Sequence, residues 1–449
     1  MPPSGMMAWE PRGDILPDGI ARLRQAVGLP LTFHSRHFSS QSPYFQRFPS
    51  WRDGEYAHPK DGELFDLQME QASSWGGITY EQDWMVESFL GVRGLREYPG
   101  RAHEWQRHLD RAAGEHGLYL QWCMATPADF CETVALRNVA SIRTSGDYRY
   151  LFDNGLNWVW FLHTNALARA LGLNPFKDVF LSHGKTTFSK GEPYAEVEAM
   201  LAVLSAGPVG IGDQLGSSNR DIIMRTCRED GVLVKPDAPI SAIDRCFRAN
   251  AFFVVEPLIG ETYSAHPAGR WAYVTTFNAS RQKQTLRCRV ELADLGAMQP
   301  AGPVMAYDWR RGAWNRLEHN GAWDLELSFQ DWDYRVLCPI LPGEIAVFGD
   351  VTKYATAGDR RIAHITSLRD GVSFDLLGVP DTQVEIRGYS AQRPESVTVE
   401  LTGEMRTLNA VNSELGGADE GWTWNAGAGG WTVRVRIGRV GHVRVRIRV

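Results

Sequence analysis

Short apolar runs alternate with amphipathic helical stretches along the first 250 residues, and this alternation stops there. DGIARLRQAV leads into LPLTFH, Leu64–Ser74 into GGITYEQDWM, and His103–His116 into GLYLQWCMA. A short helix from Pro127 precedes NVASIRTSGDY, Asn157–Leu171 precedes PFKDVFLSH, and Pro193–Leu204 precedes SAGPVGIGD. Strands that alternate with helices pair in parallel through crossover helices. Each of the six strands ends in polar or aromatic residues: His34, Asp83, Cys123, Arg143 with Asp147, Ser182 with His183, and Asp213. An open doubly wound sheet shows the same alternation without chemistry at every strand end. A (β/α) barrel builds its site on that rim. The expectation is therefore α/β plus all-β: a TIM-like (β/α) barrel over 1–250, possessing six visible units of the usual eight.

Beyond residue 250 the pattern shortens to FFVVEPL, RWAYVTTFNAS, LRCRVEL, GPVMAYDW, WDLELSF, YRVLCPI and EIAVFG. Turn residues punctuate these runs as in an antiparallel β-sandwich. A sandwich domain is expected over 251–350, and a further all-β region, continuous with it or separate, over 351–449. The Gly-rich GGADEGWTWNAGAGGW predicts a hairpin loop. The closing WTVRVRIGRVGHVRVRIRV predicts a strand pair with one wet face.

Composition excludes several classes. A net charge of −6 with no basic stripe argues against nucleic acid as a partner. No apolar run reaches the ~20 residues that span a bilayer, so no membrane partner is expected. The N-terminus lacks the charged and apolar regions of a signal peptide, which predicts a cytoplasmic protein. Six scattered Cys form no C-x-x-C pair, and no G-x-G-x-x-G follows a strand. His34 and His37 stand three apart in TFHSRHFSS, which on a continuous strand turns their rings to opposite faces. No metal and no cofactor is expected. Sixteen Trp and 14 Tyr, several near strand ends, suit a cleft in which rings stack on sugars.

Asp83 and Asp147 stand on different rim loops. Asp83 has two readings, a carboxylate in the barrel mouth or a helix N-cap. Two acids that flank a pocket are what glycoside hydrolysis uses, one as nucleophile or base and the other as acid.

QWCMATPADF followed by NVASIRTSGDY resembles a segment of raffinose synthases and alkaline α-galactosidases of glycoside hydrolase family 36. There a Cys-Met pair ends one strand and an R-x-S-x-D-[YF] element ends the next. LPDGIARLRQAVGLPLTFHSR, HTNALARALGLNPFKDVFLSH and AEVEAMLAVLSAGPVGIGDQLGSSNRDIIMRTCREDGVLVKP continue the likeness in order. WAYVTTFNAS and MAYDW resemble the start of that family's β-sandwich. The resemblance covers roughly residues 15 to 350.

It implies a retaining α-glycoside hydrolase or transglycosidase acting on α-galactoside-like or related oligosaccharides, with Asp83 as nucleophile and Asp147 as general acid/base. It implies sugar-pocket positions for Cys123, Arg143, Asp178 and Asp213. His34, Trp84, Trp122 and His183 at strand ends join them as candidate substrate contacts. Glu81 stands where the family has a Lys that binds sugar hydroxyls, reversing the charge at that candidate contact. The family's N-terminal sandwich and first two barrel strands have no counterpart. An exposed parallel edge beside the first strand then predicts a homo-oligomer or a partner subunit that completes the barrel. The alternative reading is a degenerate carbohydrate-binding protein or subunit of the same ancestry.

Overall fold

A computed structural model describes residues 5–147, 154–183, 192–298, 302–411, 415 and 420–449. Its architecture is an incomplete (β/α) barrel followed by antiparallel β-sandwich material. The chain divides into two compact units. One holds residues 1–146 and 167–175, the other 147–166 and 176–449. The division falls inside the segment expected as one barrel.

Five parallel strands form the barrel sheet in sequence order: β1 (Leu31–Ser35), β2 (Gly77–Gln82), β3 (Tyr119–Trp122), β4 (Val139–Arg143) and β5 (Asn174–Phe176). Strands β1 and β2 are neighbours, with His34 opposite Glu81. The sixth expected strand, in SAGPVGIGD, is reduced to a single parallel bridge between Phe180 and Ile211. Between β1 and β2 the chain makes an excursion that was not expected, a small antiparallel sheet of Phe38–Ser39, Ser50–Asp53 and Tyr56–Pro59.

The helices follow their apolar spacing. Along Arg101–Glu115 the buried Trp105, Leu109, Ala112 and Ala113 recur at the interval of one helical face. Helix Pro127–Glu132 starts from a capping box. The Thr126 hydroxyl accepts from the Asp129 N–H, and the Asp129 carboxylate accepts from the Thr126 N–H at 2.7 Å. Helix Ala195–Leu204 is predominantly apolar and is buried except at Glu196. Among the described residues no helix is long and apolar enough to cross a membrane.

In the second unit, Leu258–His266, Gly269–Phe277, Trp332–Pro339 and Val304–Asp308 are the central strands of a six-stranded sheet. FFVV does not enter it. The Phe252 and Val254 N–H groups bond back to Arg248 and Ala249, closing helix Asp244–Ala251, and Phe253 takes a left-handed φ of 57°. Those N–H groups are unavailable to a ladder, and Phe252 and Phe253 stay exposed.

The Gly-rich stretch does form a hairpin, Gly421–Asn425 against Gly430–Arg436; residues 416–419 lie outside the described set. The basic C-terminal strands, Gly430–Arg436 and His442–Arg448, are a correction to the expected pair, because they lie in different sheets. Their Val and Ile residues face the core, each contributing roughly 1.5–3 kcal/mol by burial. Their Arg residues are matched by carboxylates: Arg434 with Glu385 at 3.1 Å, Arg444 with Asp375 at 2.7 Å, Arg446 with Glu400 at 2.7 Å.

Candidate active site

Strand parity in the barrel sheet sets one face against the other. The register aligns His34, Glu81, Gln121 and Ser141 across β1 to β4. The Ser141 hydroxyl donates to the Gln121 side chain at 3.0 Å, so this polar row is internally bonded. The next row, Ser35, Gln82, Trp122 and Ile142, faces the other way. Trp122 is fully buried in the core of the first unit, together with Tyr80, Leu120 and Ile142. That corrects its expected role: its neighbours Gln121 and Cys123 have the opposite parity, so its ring belongs to the helix-facing core.

Two residues beyond the polar row, the same parity yields Asp83, Cys123 and Arg143 at the C-terminal rim. The ladder reaches that far. The Asp83 N–H donates to Ser35 at 2.8 Å, and the Cys123 N–H donates to Gln82 at 2.9 Å. Just past each of these residues the backbone turns sharply, with Trp84 at φ 57° and Met124 at φ 50°. Non-glycine residues in the left-handed region cost on the order of 1–3 kcal/mol each and mark places where the surroundings dictate the backbone. Here the two turns are tied together, since the Val86 N–H donates to the Met124 carbonyl at 3.0 Å.

Asp83 is not a helix cap. The N-cap of helix Met85–Gly91 is Trp84, with no side-chain capping bond. The Asp83 carboxylate instead receives the Trp84 N–H at 2.7 Å and the His34 Nε2 at 3.1 Å. Burial pushes the Asp83 carboxyl up, but bonds from His34, the Cys123 thiol and the Trp84 N–H outweigh it and hold the group below its ordinary range. The bond to Asp83 raises His34 in turn. Burial pushes the Cys123 thiol far up, against the pull of Arg143, so the sulfur remains an S–H donor. The Asp83 side chain keeps 15% of its surface exposed and His34 keeps 51%. Indole Nε1 of Trp9 donates to the His34 carbonyl at 2.9 Å and pins that strand.

Trp84 turns toward Arg36, which sequence reasoning passed over, and toward His37. The Arg36 guanidinium lies 4.0 Å above its ring, and the His37 ring centroid is 4.9 Å away. Burial lowers His37 to about 4, so this imidazole is neutral at physiological pH. Gln121, Ser141 and Arg36 were also missed. The alternation of polar with apolar residues in YLQWC and VASIR was the available signal.

The second unit holds the remaining candidates. Asp147, half-buried, is its first residue; Tyr148 of the quoted motif lies outside the described residues. Asp178 follows Lys177, which forms a buried ion pair with Glu198, and Glu198 also accepts from the Trp158 indole at 2.9 Å. Asp213 accepts from the Ser182 N–H at 2.8 Å and from the Ser182 hydroxyl, and His183 donates its N–H at 3.4 Å. Asp213 is thus a clasp joining the 180–183 segment to 211–213, while the His183 side chain is exposed. The first unit therefore brings together His34, Glu81, Asp83, Cys123 and Arg143, and the second brings Asp213 to Ser182 and His183.

No family model and no curated protein sequence matches the chain. Among solved structures it is similar to a glycoside hydrolase family 31 dextranase of Flavobacterium johnsoniae in complex with glucose, at TM-score 0.50 and 10% identity. That likeness covers 97% of this chain and 64% of the dextranase. Alpha-galactosidase I of Mortierella vinacea aligns at TM-score 0.48 and 11% identity over 72% of this chain and 80% of its own. A cycloalternan-forming enzyme of Listeria monocytogenes in complex with a pentasaccharide substrate aligns at TM-score 0.48 and 10% identity, over 95% and 46%. The dextranase shares the fold. At 10% identity it speaks to the fold alone.

Proposed function

We propose that the chain is a retaining α-glycoside hydrolase or transglycosidase in which Asp83 is the nucleophile and Asp147 the general acid/base. One observation carries the reading. Asp83 stands one residue past the end of a barrel strand, is not a helix cap, and is held ionised by three donors. A carboxylate that must attack an anomeric carbon has to be ionised and reachable, and a strand end is where barrel enzymes place such a group.

The reaction runs in two displacements. The Asp83 carboxylate attacks the anomeric carbon as the Asp147 carboxyl gives its proton to the departing oxygen, and a β-linked glycosyl-enzyme forms. Water or a sugar hydroxyl, deprotonated by Asp147, then attacks that carbon and restores the α configuration. Retention needs the two carboxyl groups roughly 5–5.5 Å apart. Arg143 and Cys123 beside Asp83 are the candidate sugar contacts. Glu81 at the neighbouring polar row offers an acceptor where the resembled family offers a cation, which favours a sugar that presents a donor there, an amino-bearing one included. The likeness to α-linked-sugar enzymes supports an α-linked substrate, with α-galactosides as the first to try.

Turnover of p-nitrophenyl α-glycosides tests this. Asp83→Ala is expected to abolish it on every substrate. Asp147→Ala is expected to spare substrates whose leaving group needs no proton, and azide is expected to rescue it with formation of an α-glycosyl azide. An inverted product, or full activity in Asp83→Ala, would overturn the reading.

A further inference from the structure

We propose that the β-sandwich carries a second carbohydrate site, remote in sequence from Asp83 and Asp147, which receives a pyranose ring of a neutral oligosaccharide against the Trp314 indole. The site is a cavity of about 490 Å³ in the second unit, within the range of small-molecule pockets. Strand Ala313–Leu317 of the six-stranded sheet supplies Trp314. Strand Gln383–Ser390 supplies Arg387 and Gly388, and the hairpin Gly421–Asn425/Gly430–Arg436 supplies Asn425, Gly430 and Trp431.

Two glycines shape it. A Cβ on Gly430 would lie 2.8 Å from two ring carbons of Trp314, so the indole rests directly on that backbone. The ring is fixed further by its N–H, which donates to Ala428 at 3.3 Å, and by the Phe348 ring at 5.3 Å. Trp314 nonetheless stays half-exposed. A flat, immobile, partly open indole is a surface on which the C–H face of a pyranose packs. On Gly388 a Cβ would lie 2.1 Å from Cζ2 and 2.4 Å from Cε2 of Trp431, the carbon that carries the indole nitrogen. The Trp431 indole therefore packs directly on the Gly388 backbone, and both residues line the cavity.

Trp431 provides the observation that points to a ligand. It is 1% exposed, and its indole N–H has no hydrogen-bond partner among the described residues. Buried donors are ordinarily satisfied, by protein, water or ligand. A sugar hydroxyl is the acceptor that fits a wall of this kind. Arg387, exposed, binds Glu385 through Nε and one terminal nitrogen at 3.1 and 3.0 Å, which leaves its other terminal nitrogen for a second hydroxyl.

The inference does not depend on the catalytic reading, since none of these residues belongs to the first unit. The test follows the indole N–H signals in nuclear magnetic resonance spectra of the full chain labelled at tryptophan. Stachyose and isomaltotriose serve as probes and acyclic sorbitol as the control. Trp314→Phe and Trp431→Phe assign the two signals. Both signals are expected to shift saturably with at least one oligosaccharide, equally in the wild-type chain and in Asp83→Asn, and to stay unmoved by sorbitol. Arg387→Ala is expected to weaken the effect about tenfold, as loss of a charged donor does, while the free-state spectrum is preserved. Signals that remain still well above millimolar sugar, that move equally with sorbitol, or that stop responding in Asp83→Asn would overturn the proposal. Absence of turnover alongside saturable shifts would count against the catalytic reading only.

Discussion

His34 is the residue on which the ionisation of Asp83 most depends, because its bond is the largest of those that oppose burial. Removing it leaves burial less opposed and the Asp83 carboxyl rises. The acid limb of kcat/KM reports the free enzyme's essential base. In His34→Ala this limb is expected to move to higher pH, and in His34→Asn, which keeps an N–H donor, to move less. A pH–rate profile over the acid range checks this; an unmoved limb, or one displaced to lower pH, counts against Asp83 as the ionised nucleophile. At this scale the sequence showed that an acid stands at a strand end. It did not show what holds that acid. The strained φ of Trp84 and the Arg36 guanidinium on its ring arise from tertiary packing, which has no local signature. Trp122 was misread for a simpler reason: in a strand a shift of one residue changes the face.

Among elements, the six expected helices were legible nearly to their ends, since apolar spacing and caps are local, whereas the short helices Met85–Gly91 and Asp244–Ala251 were not read. Helix Arg101–Glu115 and the Thr126 capping box are examples. Pairing was less legible. The Val/Arg alternation of the C-terminal strands states which side chains face inward and nothing about which strand lies alongside, so Gly430–Arg436 and His442–Arg448 could be recognised as strands and still be assigned the wrong neighbours. The Lys177–Glu198 pair joins the segment after β5 to helix Ala195–Leu204, and both side chains are almost wholly buried. Glu198→Ala would take the carboxylate away from the buried Lys177 ammonium and orphan the Trp158 indole. The expected loss is about 3–5 kcal/mol, against a much smaller change for the double variant Lys177→Met, Glu198→Leu. Chemical denaturation of the two variants beside wild type measures the difference, and equal losses would show that the pair does not act as a unit.

For the whole molecule, two separate apolar cores imply two cooperative units. One contains Leu109, Leu120 and Trp122, the other Trp271, Val445 and Ile447. Leu109→Ala and Val445→Ala, each expected to cost about 2–5 kcal/mol by cavity formation, should lower different transitions in scanning calorimetry. A single transition lowered equally by both would show one cooperative fold. The change from helical to alternating pattern near residue 250 was visible in the chain, but the boundary between compact units at 146/147 was not, because residues 147–166 and 176–250 combine barrel-like sequence with a core shared by the sandwich. The proposed double displacement passes through a covalent bond between this chain and a sugar, and the most direct measurement looks for that bond. The chain is to be incubated with a fluorinated α-glycosyl fluoride that slows deglycosylation, then weighed intact and mapped by peptide mass spectrometry. One glycosyl adduct per chain, on the peptide that contains Asp83 and absent from Asp83→Ala, is the expected result. An adduct on another carboxylate, or turnover of the same reagent with inversion and no adduct, would contradict it.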